Sequence, residues 1–419
     1  MVADNRPSIP EPDSTGPEPK GAGGDPRELN DDVTEPPGKI WFRDLDEAVI
    51  EADRCIQCAS CVAACPSDSI GIDEAEHRPT LVKMCTGCSR CWDFCPRSGL
   101  RYERHLELAV EERALEEPAT YAARADGDAA AAGQDGGAVT ALLAELIESG
   151  DLDGAVVARE SDSGPLRGEP FLATSREDLL EAGGSIYNQT MGLGRIDDLL
   201  AEEGLDPAET DLALVGTPCV IQGATALDRY DHEPADPIAL TVALMCTRSF
   251  EHGRLVSRLE RFDVDPERVD KLDITAGVLY AFDESGDVLL EADVDEFDAA
   301  GLRGCSECAD FVGAGADISA GNVGTEDGET TVVVRTETGR NAWESAADGL
   351  ETTAIDRPDT LERLADWNRR RAESTLPRAY DPEGSVGISY EAHREAYDGT
   401  DREPQPLNPA RVHQYEEWC

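Results

Sequence analysis

The chain has 419 residues and sets 88 acidic side chains against 37 basic ones, for a formal net charge of −51. A body this acidic repels a phosphate backbone and an anionic bilayer, which excludes nucleic-acid binding and electrostatic membrane attachment. No apolar run approaches the roughly 18 residues that span a bilayer, so a membrane-crossing segment is excluded as well.

The start of the chain has neither an apolar signal core nor a twin-arginine pair, so the expected location is the cytoplasm, with attachment to the edge of a membrane complex left open. Lys20, Lys39, Lys83 and Lys271 are the only lysines among the 37 bases. Acidity spread along the whole chain is self-repulsive in dilute buffer and fits a salty cytosol, where ions screen it.

In chain order, residues 1–38 are rich in Pro, Gly and acids and predict a disordered tail. Residues 39–105 form a cysteine-dense module with an internal repeat. Residues 106–133 read as a connector, with a helix over Leu106–Arg124 and a loop at Gly127–Gly133. A larger domain is expected over 134–345. Apolar spacing at Val139, Leu142, Leu143 and Leu146 predicts a helix that stops at Gly150. Strands are predicted at Gly154–Ala158, Leu212–Val215, Ile238–Leu244 and Thr331–Val334. A helix is predicted over Val256–Phe262, and a hairpin joins Leu279–Phe282 to Val288–Leu290. Strands interleaved with helices indicate an α/β (α+β) fold with a mixed sheet. Residues 346–419 are expected to wrap the surface, with one helix at Thr360–Glu373.

The repeat carries the first chemistry. Cys55, Cys58, Cys61 and Cys65-Pro66 recur as Cys85, Cys88, Cys91 and Cys95-Pro96. This doubled C-x2-C-x2-C-x3-C-P spacing is that of bacterial two-cluster ferredoxins, in which the fourth cysteine of each copy ligates the other cluster. One [4Fe–4S] set is therefore Cys55, Cys58, Cys61 and Cys95; the other is Cys85, Cys88, Cys91 and Cys65. Small residues between the ligands (Ala59, Ser60, Thr86, Gly87, Ser89) are expected to let backbone N–H groups reach the sulfurs. Disulfides are disfavoured in a reducing cytosol, and zinc sites do not use this doubled run.

Four further cysteines lie in the large domain: Cys219, Cys246, Cys305 and Cys308. The first two follow predicted strands, where an open sheet borders its ligand crevice. Four thiolates there can hold another cluster; single buried cysteines are otherwise inert. Cys419 is left over.

The Gln134-Asp135-Gly136-Gly137-Ala138-Val139-Thr140 start offers N–H groups and a helix dipole to an anion, or is an ordinary glycine-rich cap. Gly184-Ser185-Ile186-Tyr187 is a second glycine turn. No G-x-G-x-x-G follows a strand, so no Rossmann site is indicated. Together with Gly216-Thr217-Pro218-Cys219, Cys305-Ser306-Glu307-Cys308, Asp317-Ile318-Ser319 and Asn322-Val323-Gly324, these segments resemble the β subunits of coenzyme F420 hydrogenases and dehydrogenases. The added ferredoxin module is similar to the input subunits of F420H2 dehydrogenases.

That resemblance implies FAD, a third [4Fe–4S] cluster on Cys219, Cys246, Cys305 and Cys308, and F420 as the hydride substrate. It implies cofactor contacts from Gln134, Asp135, Gly136, Gly137, Thr140, Gly184, Ser185, Tyr187, Thr217, Asn322 and Gly324, and an electron-accepting protein or quinone-reducing complex as partner. Tyr187 is a candidate proton source, and no catalytic residue is assigned. Arg176, Arg195, Arg248 and Arg303 are candidates for holding the anionic tail of F420, each also readable as a surface ion pair. Two other functions suit the same scaffold: a ferredoxin-dependent reductase of a small organic molecule, and a non-catalytic electron-transfer subunit.

Overall fold

The computed structural model describes residues 41–88, 90–97, 110, 112–229, 235–346 and 349–375. The predicted tail and Cys419 lie outside these residues, as does the end of the C-terminal extension.

The cysteine module holds an antiparallel pair, β1 (Ile70–Asp73) and β2 (Arg78–Leu81), and two short helices that each follow a cysteine loop, Ser60–Ala63 and Arg90–Asp93. The large domain is built on eight strands: β3 (Ala114–Ala125), β4 (Gly154–Glu160), β5 (Gly168–Ala173), β6 (Leu212–Gly216), β7 (Ile238–Leu244), β11 (Ile318–Gly321), β12 (Thr330–Thr336) and β13 (Leu350–Thr353). Between β7 and β11 in sequence, β8 (Lys271–Thr275), β9 (Val278–Phe282) and β10 (Val288–Asp293) form a separate antiparallel sheet. The large sheet runs β13-β3-β12-β11-β7-β6-β4-β5. Its centre, β11-β7-β6-β4, is parallel, and antiparallel strands complete both edges.

Period-2 alternation splits the sheet between two cores. Ala155, Val157, Ala213 and Val242 face the helix Ala138–Ser149 through Leu142, Leu143 and Leu146. Val156, Leu212, Leu214 and Ala243 face the opposite side, where Ile196, Leu200, Val220 and Ile221 cover them. Ile56, Cys58, Ala63, Ala64 and Phe94 of the cysteine module belong to this second core. The module is therefore packed into the large domain through a continuous apolar interior.

Three expectations need correction. The helix predicted over Leu106–Arg124 is, from Ala114 onward, strand β3, paired with both β12 and β13. Ala and Glu favour helix locally, but Ala123 and Ala125 bury in the core and Tyr121 stacks on Trp343 with ring centroids 5.3 Å apart; packing overrides propensity. Pro118, in the middle of the segment, was the warning, because proline breaks a helix interior. The expected loop at Gly127–Gly133 is a helix, Gly127–Ala132. Finally, residues 346–419 do more than wrap the surface: β13 closes one sheet edge, and the helix Pro358–Thr375 inserts buried Asn368 and Ala372.

Candidate functional site

The cysteine module encloses an apolar cavity lined by Cys55, Cys58, Cys61 and Cys95, with Val49 and Ile56 among its walls. Cys95 comes from the second repeat, so the crossing ligand set inferred from spacing is the set that folding gathers. Burial drives the Cys61 thiol well above its ordinary range, and Cys55, Cys58, Cys95 and Cys91 around it add to that. Thiols held this way are protonated when empty and release protons on binding iron. Cys65, Cys85 and Cys91 share a second apolar cluster with Cys61 and Cys95.

The repeat is visible in the backbone. Gln57 N–H donates to Cys55 Sγ at 3.4 Å, and Gly87 N–H donates to Cys85 Sγ at 3.3 Å. Both donors have positive φ, +54° and +69°. The left-handed turn, rather than small side chains, aims the N–H at the sulfur. Gln57 tolerates this conformation while its side-chain amide donates to His77 O at 2.8 Å.

The four cysteines of the large domain also meet. Burial raises the Cys219 thiol, with Cys58, Cys305 and Cys308 contributing, and lifts Cys246 to about 12, with Cys305 and Cys308 beside it. Cys219 lies in the first turn of the helix Pro218–Arg229, just past β6, and Cys246 just past β7. Parallel strands put both at one edge of the sheet. Cys246 N–H is fastened to Phe311 O at 3.0 Å. Asp310 steadies the loop after Cys308, accepting from Gln222 Nε2 at 2.6 Å and Gly313 N–H at 2.8 Å. Among the described residues no group of three or more His, Cys, Asp or Glu side chains is placed to hold a single metal ion.

Cys58 and Cys219 belong to one apolar core that spans the seam between module and domain. Three glycines make the approach possible. A Cβ on Gly223 would lie 2.0 Å from Ser60 Oγ, on Gly304 2.0 Å from Arg54 O, and on Gly194 2.8 Å from Val62 Cβ. Arg54 and Glu307, both fully buried, form a two-pronged ion pair across this seam, with contacts of 3.3 and 3.2 Å. His77 inserts from the β1–β2 turn and donates through Nε2 to Gln189 O. Gln189 Nε2 in turn donates to Thr217 and Ser249 hydroxyls, each at 2.9 Å, and lies 3.6 Å from Cys219 Sγ.

A half-buried polar cluster, called the pocket below, gathers near Tyr187: Gln134 and Asp135 reach it from the left-handed Gly136-Gly137 turn. Strand β8 covers them, with Gln134 Nε2 donating to Leu272 O at 3.3 Å. Gln134 Oε1 is buried with no hydrogen-bond partner among the described residues. Burial raises the Asp135 carboxyl; Asp273 adds to this, while Lys271 and Asn322 work against it. Burial likewise raises the Tyr187 hydroxyl, and its neighbours include Asp273, Asp135 and Cys246.

The comparisons with known proteins agree with this arrangement. Residues 119–196 and 209–358 match the N-terminal and C-terminal families of the coenzyme F420 hydrogenase/dehydrogenase beta subunit. Residues 48–100 match a 4Fe–4S dicluster domain. The chain is 31% identical to a chain in the xenon-derivatized F420-reducing [NiFe] hydrogenase complex of Methanosarcina barkeri, covering 63% of this chain and 91% of that one with a TM-score of 0.58. The chain belongs to the family of coenzyme F420 hydrogenase/dehydrogenase beta subunits. It is 26% identical to one of the subunits of the F(420)H(2) dehydrogenase of Methanosarcina mazei, over 77% of this chain and 91% of that protein. It is 30% identical to the coenzyme F420-dependent sulfite reductase of Methanocaldococcus jannaschii over 79% of its own length, but spans only 51% of that enzyme.

Of the contacts the beta-subunit resemblance implied, Gln134, Asp135, Gly136, Gly137, Tyr187 and Asn322 come together. Thr140 sits half-buried in the following helix. Gly184 and Ser185 are exposed, with open space around Gly184. Thr217 turns to Cys219, its hydroxyl 3.2 Å from the sulfur. Gly324 is packed under Arg357, whose N–H donates to Gly324 O at 2.9 Å. The four candidate arginines are all ion-paired: Arg176 with Glu148, Arg195 with Glu74, Arg248 with Asp298 and Arg303 with Asp53. Sequence reasoning missed Arg54, Arg97, Gln189, Ser249, Asn368 and Arg371. Only Arg54 and Arg97 carried a signal, since each flanks a cysteine motif.

Proposed function

We propose that this chain passes electrons between reduced F420 and one-electron acceptors, as an iron–sulfur flavoprotein with FAD and three [4Fe–4S] clusters. The observation that carries the reading is the run of neighbours from Tyr187 to Cys246, across the Cys305–Cys308 set to Cys219, and on to Cys58. Cys55, Cys58, Cys61 and Cys95 would hold one cluster; Cys65, Cys85, Cys88 and Cys91 the outermost; Cys219, Cys246, Cys305 and Cys308 the third. A bound flavin supplies the exchange between a hydride's electron pair and the single electrons that clusters carry.

The chain's own part is orientation. Gln134, Asp135, Asn322 and Tyr187 offer amide, carboxyl and hydroxyl groups suited to the polar edge of a flat heterocycle, and the orphaned Gln134 Oε1 calls for an N–H donor. Asp135 and Asp273 make the same pocket unsuited to a phosphate, although Lys271 beside them offsets part of their charge. Cys58 and Cys219 are both buried at the seam.

The electron acceptor would be a protein or a quinone-reducing complex, and the setting a saline cytoplasm, at the periphery of a membrane where the acceptor lies there. Among the described residues no helix is long and apolar enough to cross a membrane. A second reading, an electron-transfer component of a larger complex, is favoured by Leu81, Val82 and Met84, exposed by 46, 57 and 89% just before Cys85.

The test is anaerobic mixing of the iron- and flavin-reconstituted protein with reduced F420 in high salt. Flavin bleaching with F420 oxidation is expected. If neither occurs but reduced ferredoxin bleaches the flavin, the chain is a ferredoxin-dependent reductase; if neither donor acts alone, it is a component that needs its partner.

A further inference from the structure

The helix Pro358–Thr375 reaches the large-domain cysteine loops with polar side chains from one of its faces. Arg371 Nη2 donates to Thr247 O at 2.6 Å and to Cys305 O at 3.1 Å. Asn368 Nδ2 donates to Cys308 O at 3.1 Å. Thr247 adjoins Cys246, so the helix grips the backbone at or beside three of the four cysteines. Those three lie outside long regular elements: Cys246 just past β7, Cys305 in the short 3-10 helix Arg303–Glu307, and Cys308 at its end. Carbonyls in such segments need donors from elsewhere in the fold. Cys219 differs, because the helix Pro218–Arg229 itself fixes its backbone.

The two donors also orient each other. Arg371 Nη2 donates to Asn368 Oδ1 at 2.7 Å, which turns the Asn368 amide so that Nδ2 faces Cys308 O. The Arg371 guanidinium lies over the Trp367 ring, 5.0 Å from its centre. Residues three and four apart on a helix are neighbours, so Trp367, Asn368 and Arg371 share one face. Among the described residues of this helix, the buried positions are Asn368 and Ala372. Its attachment is therefore polar and directed at the cysteine loops, where an ordinary docked helix would bury an apolar stripe.

We propose that Arg371 and Asn368 are positioning residues for the large-domain [4Fe–4S] cluster: from the helix Pro358–Thr375 they fix the backbone that carries Cys246, Cys305 and Cys308. This rests on the three-cluster reading above. Groups that hold ligands from outside the coordination sphere govern how well a metal site is retained. Both side chains act through carbonyl oxygens, so the donor groups are the operative property.

The experiment uses the whole protein, reconstituted anaerobically in high salt. It counts iron, follows iron release to a chelator and records the EPR spectrum after reduction. Arg371→Met and Asn368→Leu keep bulk and remove the donors. In each, one of two results is expected: about eight irons per chain in place of about twelve, or one third of the iron leaving roughly tenfold faster. The other two thirds should leave at the unmodified rate, with the EPR signal of a single cluster altered. Arg371→Lys, which keeps a donor, should recover most of the retention. Arg370→Ala, exposed on the same helix, should change nothing. Should Arg371→Met fail to fold, Asn368→Leu decides alone. Faster release from all three clusters together would mean a general weakening of the fold and overturns the proposal. Twelve irons released at the unmodified rate in both variants overturns it too. About eight irons in the unmodified protein overturns the third cluster instead.

Discussion

The seam and the pocket are built in opposite ways. At the seam, glycines stand where any side chain would collide, and the charged groups Arg54 and Glu307 are fully buried and paired. The pocket has one strand of a small sheet for a cover, a half-buried Tyr187 and carboxyls drawn together rather than neutralised. The contrast follows from what each must pass. In the proposed function an electron crosses the seam between centres that must stay at a fixed, short separation, which buried and paired Arg54 and Glu307 suit. In that function a diffusible cofactor meets the second region, where Gln134 Oε1 has no hydrogen-bond partner among the described residues.

The strongest way to break this contrast is to unpair the seam. Arg54→Met leaves Glu307 charged and buried, and should reduce stability by about 3–5 kcal/mol, read by anaerobic denaturant unfolding in high salt. The pocket counterpart, Lys271→Met, should stay within about 0.5 kcal/mol. Equal effects would remove the distinction between a buried seam and a half-buried pocket.

Next in size is Gly304→Ala. Its Cβ would collide with the backbone oxygen of Arg54 at 2.0 Å, and overpacking of this kind reduces stability by about 1–3 kcal/mol. Because Gly304 precedes Cys305, about four irons per chain should be lost as well, measured by iron analysis. Gly164→Ala, in open space, should change neither.

These two regions were not equally legible in the sequence. The grouping of Cys55, Cys58, Cys61 and Cys95 around one cavity could be read because a local spacing encodes it and the repeat doubles the signal. The strands before Cys219 and Cys246 were legible as short apolar runs, and their parallel order put both cysteines at one edge. The seam was invisible. Gly194, Gly223 and Gly304 mark close approach only once the partner surface is known, and Arg54 and Glu307 are 253 positions apart. Arg371 was hidden for the same reason: it sits on a polar C-terminal helix, yet donates to Thr247 O at 2.6 Å and Cys305 O at 3.1 Å. The acidic composition drew attention to surface arginines as anion holders, whereas those four are paired and the telling arginines are buried.

A smaller effect is expected in the pocket itself. Tyr187→Phe removes one hydroxyl beside Asp135 and Cys246. A single hydrogen bond of ordinary strength corresponds to about a 3–10-fold change, so oxidation of reduced F420 should slow by that factor while iron content stays the same. Stopped-flow absorbance with parallel iron analysis separates the two. Loss of iron in this variant would mean that Tyr187 supports the cysteine site rather than the bound ring.

The smallest effect has a sign that distinguishes the regions. The Asp135 carboxyl is raised above its ordinary value of 3.8, first by burial and then by Asp273. A carboxyl that binds its proton more tightly in the fold than in the unfolded chain opposes folding once ionised. The penalty is present above the folded pKa and disappears as pH falls through it. Asp135→Asn should therefore raise the unfolding midpoint at pH 7 by about 1–2 °C, with the gain vanishing toward pH 4. Glu307→Gln should do the reverse at pH 7, lowering the midpoint, because there the charge is matched by Arg54. Thermal scans of both variants at the two pH values decide the matter. A pH-independent gain in Asp135→Asn would mean the carboxyl does not titrate in a half-dry pocket, and the case for a ring-binding site at Gln134 and Asp135 would fall with it.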